Sequence, residues 1–246
     1  MGNPVTWFEI VGPEPELAAT FYSELFGWHT ESVPESNYIM IDTHSASGIN
    51  GGFAQTSEDR PGGAVFYAQG PDIQALLDKA GSLGARTVQP VHEVPDMVTV
   101  ALFADPWGNL VGLLKGEESE LGSVTGGGNP PIDWFELSCD EPQKAWEFYR
   151  ELFGWQITGS EGEGMVHGGV DSGSGGAAGG IGSSPDGQPH VDMYALVDDL
   201  QKYLERGESL GGGTVMPPMD VGGGTSIAIL RDPQGTTFGL YRHSHG

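Results

Sequence analysis

The sequence predicts an α+β protein made of two tandem copies of one architecture, each copy a pair of βαβββ units. The first observation behind this is a repeat. Trp7 to Trp28, WFEIVGPEPELAATFYSELFGW, returns as Trp134 to Trp155, WFELSCDEPQKAWEFYRELFGW, at an offset of 127, and such a chain has to be read as copies before any residue is given a role. The second is that the offset persists to the end of each copy. Tyr67 matches Tyr194, Asp72 matches Asp199, Asp105-Pro106 matches Asp232-Pro233, and Leu113 matches Leu240. The third is the alternation of short apolar runs with amphipathic stretches inside each copy.

Each copy opens on an apolar run, Val5 to Val11 or Ile132 to Cys139, with the length and β-branched or aromatic content of a strand. A helix follows. Glu14-Pro15 and Glu141-Pro142 place proline at the first helical position, where its missing N–H costs nothing. Leu17, Phe21 and Leu25, and Ala145, Tyr149 and Phe153, form the expected apolar rows. Gly27 and Gly154 stop the helices. Tyr38 to Asp42 is the next strand, then a glycine-rich hairpin region and a strand around Gly51-Gly52-Phe53, with Gly179-Gly180-Ile181 as its counterpart.

The second unit of the first copy runs as strand Ala64 to Gln69, helix Asp72 to Leu83 ended by Gly84, and a hairpin of Met97 to Phe103 with Leu110 to Leu114, turning at Asp105-Pro-Trp-Gly-Asn109. In the second copy the matching pieces are Val191 to Val197, Leu200 to Leu210, Ser226 to Leu230 and Thr237 to Tyr241. The domains are therefore 1–116 and 132–246. Residues 117–131, which contain GSVTGGGNPP and have no hydrophobic period, form the linker.

Composition excludes several functions. Each half of the 246 residues is long enough to bury a core. The single cysteine, Cys139, rules out an internal disulfide framework and reads as a buried, inert thiol. With 34 acidic against 10 basic side chains and a net charge of -24, binding to nucleic acid or an anionic membrane is not expected. MGNPVTWFEI has neither a basic region nor a long apolar run, so a cytoplasmic location is expected. The glycine-rich segment 172–180 lacks the lysine-serine ending of a phosphate-binding loop and reads as a flexible hairpin. No nucleophile-elbow motif supports Ser-His-Asp catalysis.

FYSELFGW at the end of the first helix and DPWGNLVGLL near the end of the copy, both with counterparts in the second, resemble the vicinal oxygen chelate superfamily of glyoxalases, extradiol dioxygenases and bleomycin-resistance proteins. The tandem arrangement is similar to glyoxalase-like proteins of actinobacteria. The resemblance implies a curved mixed sheet of eight strands around a cleft in each glyoxalase-like domain. It also implies where metal ligands would stand: Trp7, Val65 and Gly112 in the first copy, Trp134, Asp192 and Gly239 in the second. Tryptophan, valine and glycine offer no side-chain lone pair for a metal, and a catalytic ion needs about three such donors. No cofactor is therefore expected, a divalent metal on a rewired site being the alternative.

Side chains two apart on a strand share a face, so His190, Asp192 and Tyr194 should line the cleft together with Trp134 and Glu136. The first copy offers Trp7, Glu9, Val65, Tyr67 and Gln69 and is poorer in ionisable groups. Glu136, His190 and Asp192 are the candidate catalytic residues, a proton-transfer or ligand-orienting cluster, with a purely polar lining as the bland reading. Trp7, Glu9, Tyr67, Trp134 and Tyr194 complete the candidate ligand-binding set. His29, His44, His92 and His167 lack a partner at helix or strand spacing, and His243 and His245 belong to a terminal RHSHG tail. Trp107 shields the hairpin or covers the cleft.

The function expected is metal-independent binding of a small hydrophobic or aromatic molecule in one or both clefts, in antibiotic resistance or secondary metabolism. The alternative is a lyase, isomerase or oxygenase working through the second copy. The partner is a small molecule, and the chain is a monomer with internal pseudo-symmetry or a homodimer.

Overall fold

The structure, a computed structural model, describes residues 2–94, 97–116, 126–162, 165–184 and 187–243. The elements run β1 (Val5–Gly12), α1 (Pro15–Phe26), β2 (His29–Ser32), β3 (Tyr38–Asp42), β4 (Asn50–Gln55), β5 (Gly63–Gly70), α2 (Ile73–Ser82), β6 (Arg86–Val94), β7 (Val98–Ala104) and β8 (Leu110–Lys115). The second copy repeats them as β9 (Ile132–Cys139), α3 (Pro142–Phe153), β10 (Gln156–Gly162), β11 (Met165–Asp171), β12 (Ala178–Ser183), β13 (His190–Leu196), α4 (Leu200–Ser209), β14 (Gly213–Gly222), β15 (Thr225–Arg231) and β16 (Thr237–His243). They form two eight-stranded mixed sheets, ordered β2-β3-β4-β1-β5-β8-β7-β6 and β10-β11-β12-β9-β13-β16-β15-β14. This is the double βαβββ pattern, twice.

The strands at 29–32, 86–94, 156–162, 165–171 and 213–222 are ones the hydrophobic pattern does not mark. Most lie at sheet edges, and β6 and β14 are exposed along most of their length, so no apolar alternation is required of them. Pro90, Pro217 and Pro218 also stand in these two strands, as edges permit and interiors do not.

The helices begin and end as their sequence dictates. Pro15 and Pro142 occupy the first turn, and Gly27 and Gly154 take left-handed φ values of 79° and 69° at the C-termini. Asp72 accepts from Ala75 N (3.0 Å) and Asp199 from Lys202 N (3.2 Å), capping α2 and α4. The apolar row of α1 differs from expectation at one end: Leu17 is 39% exposed, whereas Ala18, Phe21, Tyr22 and Leu25 are buried. Every step of four residues overshoots a full turn by about 40°, so a row at i, i+4 and i+8 drifts off the buried face. Ala145, Tyr149 and Phe153 are all buried as expected.

The chain forms two compact units, each taking one βαβββ module from each copy. One comprises Met1–Trp7, Val65–Ser123 and Trp134–Val191, with α2 beside α3; the other comprises Phe8–Ala64, Val124–Asp133 and Asp192–Gly246, with α1 beside α4. In the α2–α3 unit Phe66 meets Phe135 (4.6 Å) and Tyr149 stacks on Trp155 (5.4 Å). In the α1–α4 unit Phe26 stacks on Trp28 (4.7 Å), and Tyr22 packs on Phe53 and Phe238.

The Asp-Pro-x-Gly turns have a structural role in both units. Asp105 accepts from the backbone N–H of Trp107, Gly108 and Asn109 and from the Tyr149 hydroxyl (2.9 Å). Asp232 accepts from Gln234 and Thr236 N–H and, at 3.5 Å, from the Tyr22 hydroxyl. Burial pushes both carboxyls above the usual range and both tyrosines well above theirs. Of the linker, 117–125 lies outside the described residues. The remainder is fastened to the α1–α4 unit: Asn129 donates to Gly27 O (2.7 Å), and Pro130 O accepts from the Trp28 indole (3.0 Å).

Candidate functional site

In the α2–α3 unit, the alternation of β9 puts Trp134 and Glu136 on one face, and the Trp134 indole N–H reaches Glu136 Oε2 at 3.2 Å. The imidazole that meets this glutamate is His167 of β11, whose Nε2 stands 2.8 Å from Glu136 Oε1. Strand β12 separates β9 from β11, and on this face it places Ala178 beside Trp134 and glycines, Gly180 and Gly182, between the glutamate and the imidazole. A Cβ at Gly180 would come within 3.0 Å of both Glu136 Oε2 and His167 Nε2, and one at Gly182 would lie 3.1 Å from His167 Cδ2. The pair can therefore close across an intervening strand only because that strand carries no side chain there.

The side chains expected to cluster here have the following partners. Glu136 takes its partners from Trp134 and His167, while His190 Nδ1 lies 3.0 Å from Gln188 O, and Asp192 accepts from Thr237 Oγ1 at 2.5 Å. His190, Asp192 and Tyr194 do share β13, but Asp192 and Tyr194 are buried and His190 begins the strand half-buried. His167 was missed because its partner lies far away in sequence. The signal that could have found it is the glycine run itself, Gly179-Gly180 and Gly182, on a strand beside a glutamate.

The first copy uses its equivalent glutamate differently. Glu9 forms an ion pair with Arg60 in the α1–α4 unit, with only 7% of the Glu9 side chain and 18% of the Arg60 side chain exposed. Arg60 sits in a tight turn in which Ser57 and Arg60 exchange backbone hydrogen bonds. The reading of the first copy as poor in ionisable groups is corrected accordingly: Arg60 lies in a loop, outside any strand pattern. Register makes Tyr38 the counterpart of His167, because Tyr38 faces Ala54 on β4 as His167 faces Gly182 on β12, and the Tyr38 ring lies over Gly52. Trp7 is half-buried, and Val65, Tyr67 and Gln69 are buried.

The Glu136–His167 pair is the more open of the two, with 19% and 37% of the side chains exposed. Its hydrogen bond to Glu136 raises the His167 pKa against the opposing effect of burial. The protonated form is thus favoured in the folded protein. The stability this contributes is complete below about pH 6.5, the value of an unfolded histidine, and is lost as pH rises through the raised folded value. We expect the His167 titration followed by NMR to have its midpoint above that of a free histidine, and to fall back in Glu136→Gln. A midpoint unchanged by Glu136→Gln would show that the glutamate does not hold the proton.

The remaining candidates have plain settings. Trp107 packs edge-on against Phe148 (6.0 Å), with its indole N–H 3.4 Å from Glu141 Oε2. It lines a surface groove with Pro106, Asp140, Lys144 and Glu147, beside α3. Burial pushes the Cys139 thiol up to about 12, in keeping with an inert thiol. His243 Nδ1 lies 3.1 Å from Thr225 Oγ1, and His245 lies outside the described residues. No helix among the described residues is long and apolar enough to cross a membrane.

The positions that the resemblance assigns to metal ligands do not fit a metal. Trp7, Val65, Trp134, Gly112 and Gly239 offer no donor, and Asp192 is held by Thr237. No group of three or more His, Cys, Asp or Glu side chains that could hold an ion occurs among the described residues.

A family model described as Glyoxalase/Bleomycin resistance protein/Dioxygenase superfamily matches residues 131–240. CFP32 of Mycobacterium tuberculosis, which carries a provisional glyoxylase name, is 25% identical over 98% of this chain and 95% of its own length. The anthracycline biosynthesis protein DauV of Streptomyces sp. (strain C5) is 25% identical over 95% of this chain and 91% of its own. The crystal structure of the Mn(II)-bound glyoxalase from Novosphingobium aromaticivorans superposes with a TM-score of 0.69 at 15% identity, covering 98% of this chain and 82% of that one. The second copy thus matches the Glyoxalase/Bleomycin resistance protein/Dioxygenase superfamily model, and the chain as a whole shares the double βαβββ fold of the solved glyoxalase.

Proposed function

We propose that this protein binds a small, partly aromatic molecule, without a metal, on the β9–β12 face that carries Trp134, Glu136 and His167. The observation that carries the proposal is the half-exposed Glu136–His167 pair, held over a glycine floor beside a half-buried indole. Such a site offers an apolar wall and a fixed polar anchor, the combination that small-molecule sites use. The name of DauV, an anthracycline biosynthesis protein, suggests a planar polyketide as the ligand class and secondary metabolism or antibiotic resistance as the setting.

A hydroxylated anthraquinone is the first probe, titrated against chelator-treated protein and followed by tryptophan fluorescence. Binding unchanged by the chelator is expected, and Trp134→Ala should weaken it by roughly 3–10-fold, the worth of one aromatic contact. Binding that disappears with chelation and returns with Mn(II) would overturn the metal-free reading.

The raised pKa of His167 favours a second reading, proton transfer by the Glu136–His167 pair in a lyase, isomerase or oxygenase reaction. Under it, Glu136→Gln and His167→Asn lower turnover by about 10²–10⁴-fold with binding nearly intact. Equal, modest losses in both would leave binding alone.

A further inference from the structure

We infer that Tyr67 and Tyr194 close the last-strand ligand position in both copies, so that neither sheet can take a metal through a side chain at Gly112 or Gly239 while the tyrosine remains. This goes beyond the binding reading above: it names the residues that exclude the ion and the steric means by which they do so. In the parallel pairing of β5 with β8, Tyr67 stands beside Gly112; in that of β13 with β16, Tyr194 stands beside Gly239. Each ring lies against the glycine of its neighbouring strand. A Cβ built at either glycine would come within 3.0 Å of Cγ, Cδ1 and Cε1 of the facing tyrosine, an approach that real side chains do not make.

The obstruction is rigid. The atoms met belong to the body of the ring, beginning at Cγ, and the tyrosines are only 3% and 6% exposed. An interior packed to crystal density leaves such a ring little room to turn aside. Nor does the backbone demand glycine at these places. Neither Gly112 nor Gly239 has a positive φ, unlike Gly108 and Gly235 in the preceding turns. The requirement for glycine comes from the tyrosine, and the same device occurs once in each compact unit.

A thermodynamic cycle tests this. In the wild-type background, Gly239→Ala should lower the melting temperature by about 5–10 °C, the effect of overpacking in a chain of this size. In a Tyr194→Ala background the same change should cost less than half as much, because the opposing ring is gone. Gly112→Ala with Tyr67→Ala repeats the cycle in the other unit if Tyr194→Ala fails to fold. In parallel, wild-type protein is incubated with Mn(II), desalted and analysed for metal, and no stoichiometric retention is expected. Equal losses for the glycine change in both backgrounds would overturn the proposal. So would stoichiometric Mn(II) in the wild type that is lost on Asp192→Asn. Anthraquinone binding would survive either result, so failure here is distinct from failure of the binding reading.

Discussion

Tyr22→Ala is expected to destabilise the protein by about 3–5 kcal/mol, the cost of deleting a large buried aromatic. Tyr22 is fully buried in the α1–α4 unit. Its ring stacks on Trp28 at 9° (6.0 Å) and on Phe53 at 26° (5.6 Å), and it meets Phe21 edge-on and Phe238 at 5.2 Å. Removing it therefore leaves a cavity walled by five aromatic rings, Phe26 being the fifth, which cannot collapse without moving a helix and a strand. The hydroxyl is a smaller part of the loss. At 3.5 Å from Asp232 it makes a long hydrogen bond, and Tyr22→Phe should cost no more than about 1 kcal/mol. Urea unfolding followed by tryptophan fluorescence measures both, and a Tyr22→Ala variant within about 1 kcal/mol of wild type would mean that the cluster does not hold this unit together.

Arg60→Met should be nearly as costly, about 3–5 kcal/mol, because it leaves a buried carboxylate without its cation. Glu9 has only 7% of its side chain exposed and cannot recover its hydration by a small shift. Glu9→Gln added to Arg60→Met should restore much of the loss, since the charge that made the single change expensive is gone. His167→Gln, which breaks the equivalent pair of the second copy, should cost about 1 kcal/mol or less, as expected of a pair open to water. A matching large loss for His167→Gln would mean that the second-copy pair is structural, and would count against a ligand site on that face.

Much of the fold was legible because the repeat constrains it. The Trp-to-Trp segments mark a strand and a helix by length, proline and glycine, and the Asp-Pro-x-Gly turns recur at the same offset. What escaped were the edge strands, where exposure removes the apolar alternation on which recognition depends. Half of the candidate site escaped for another reason. Trp134 and Glu136 are two apart on one strand and were read correctly as sharing a face. His167 and Arg60 come from a different strand and a loop, and register between strands is invisible to spacing along the chain. The fixed offset itself misleads in the hairpin region. It pairs Met40 with His167, whereas strand register pairs Tyr38, because the intervening loops differ in length between the copies.

The sharing of modules between copies sets an order of events at the ribosome. Residues 65–191 emerge as a nearly unbroken run and supply both modules of the α2–α3 unit. The module 8–64, made before that run, belongs instead with 192–246, made after it. At about 5–20 residues per second, α1 waits on the order of 10–40 seconds for the strand bearing Phe238 to appear. Throughout that interval the newborn chain carries Tyr22 and Phe26 without the ring they pack on in the finished protein. The apolar face of α1 then stays without its partner until the strand bearing Phe238 has been made.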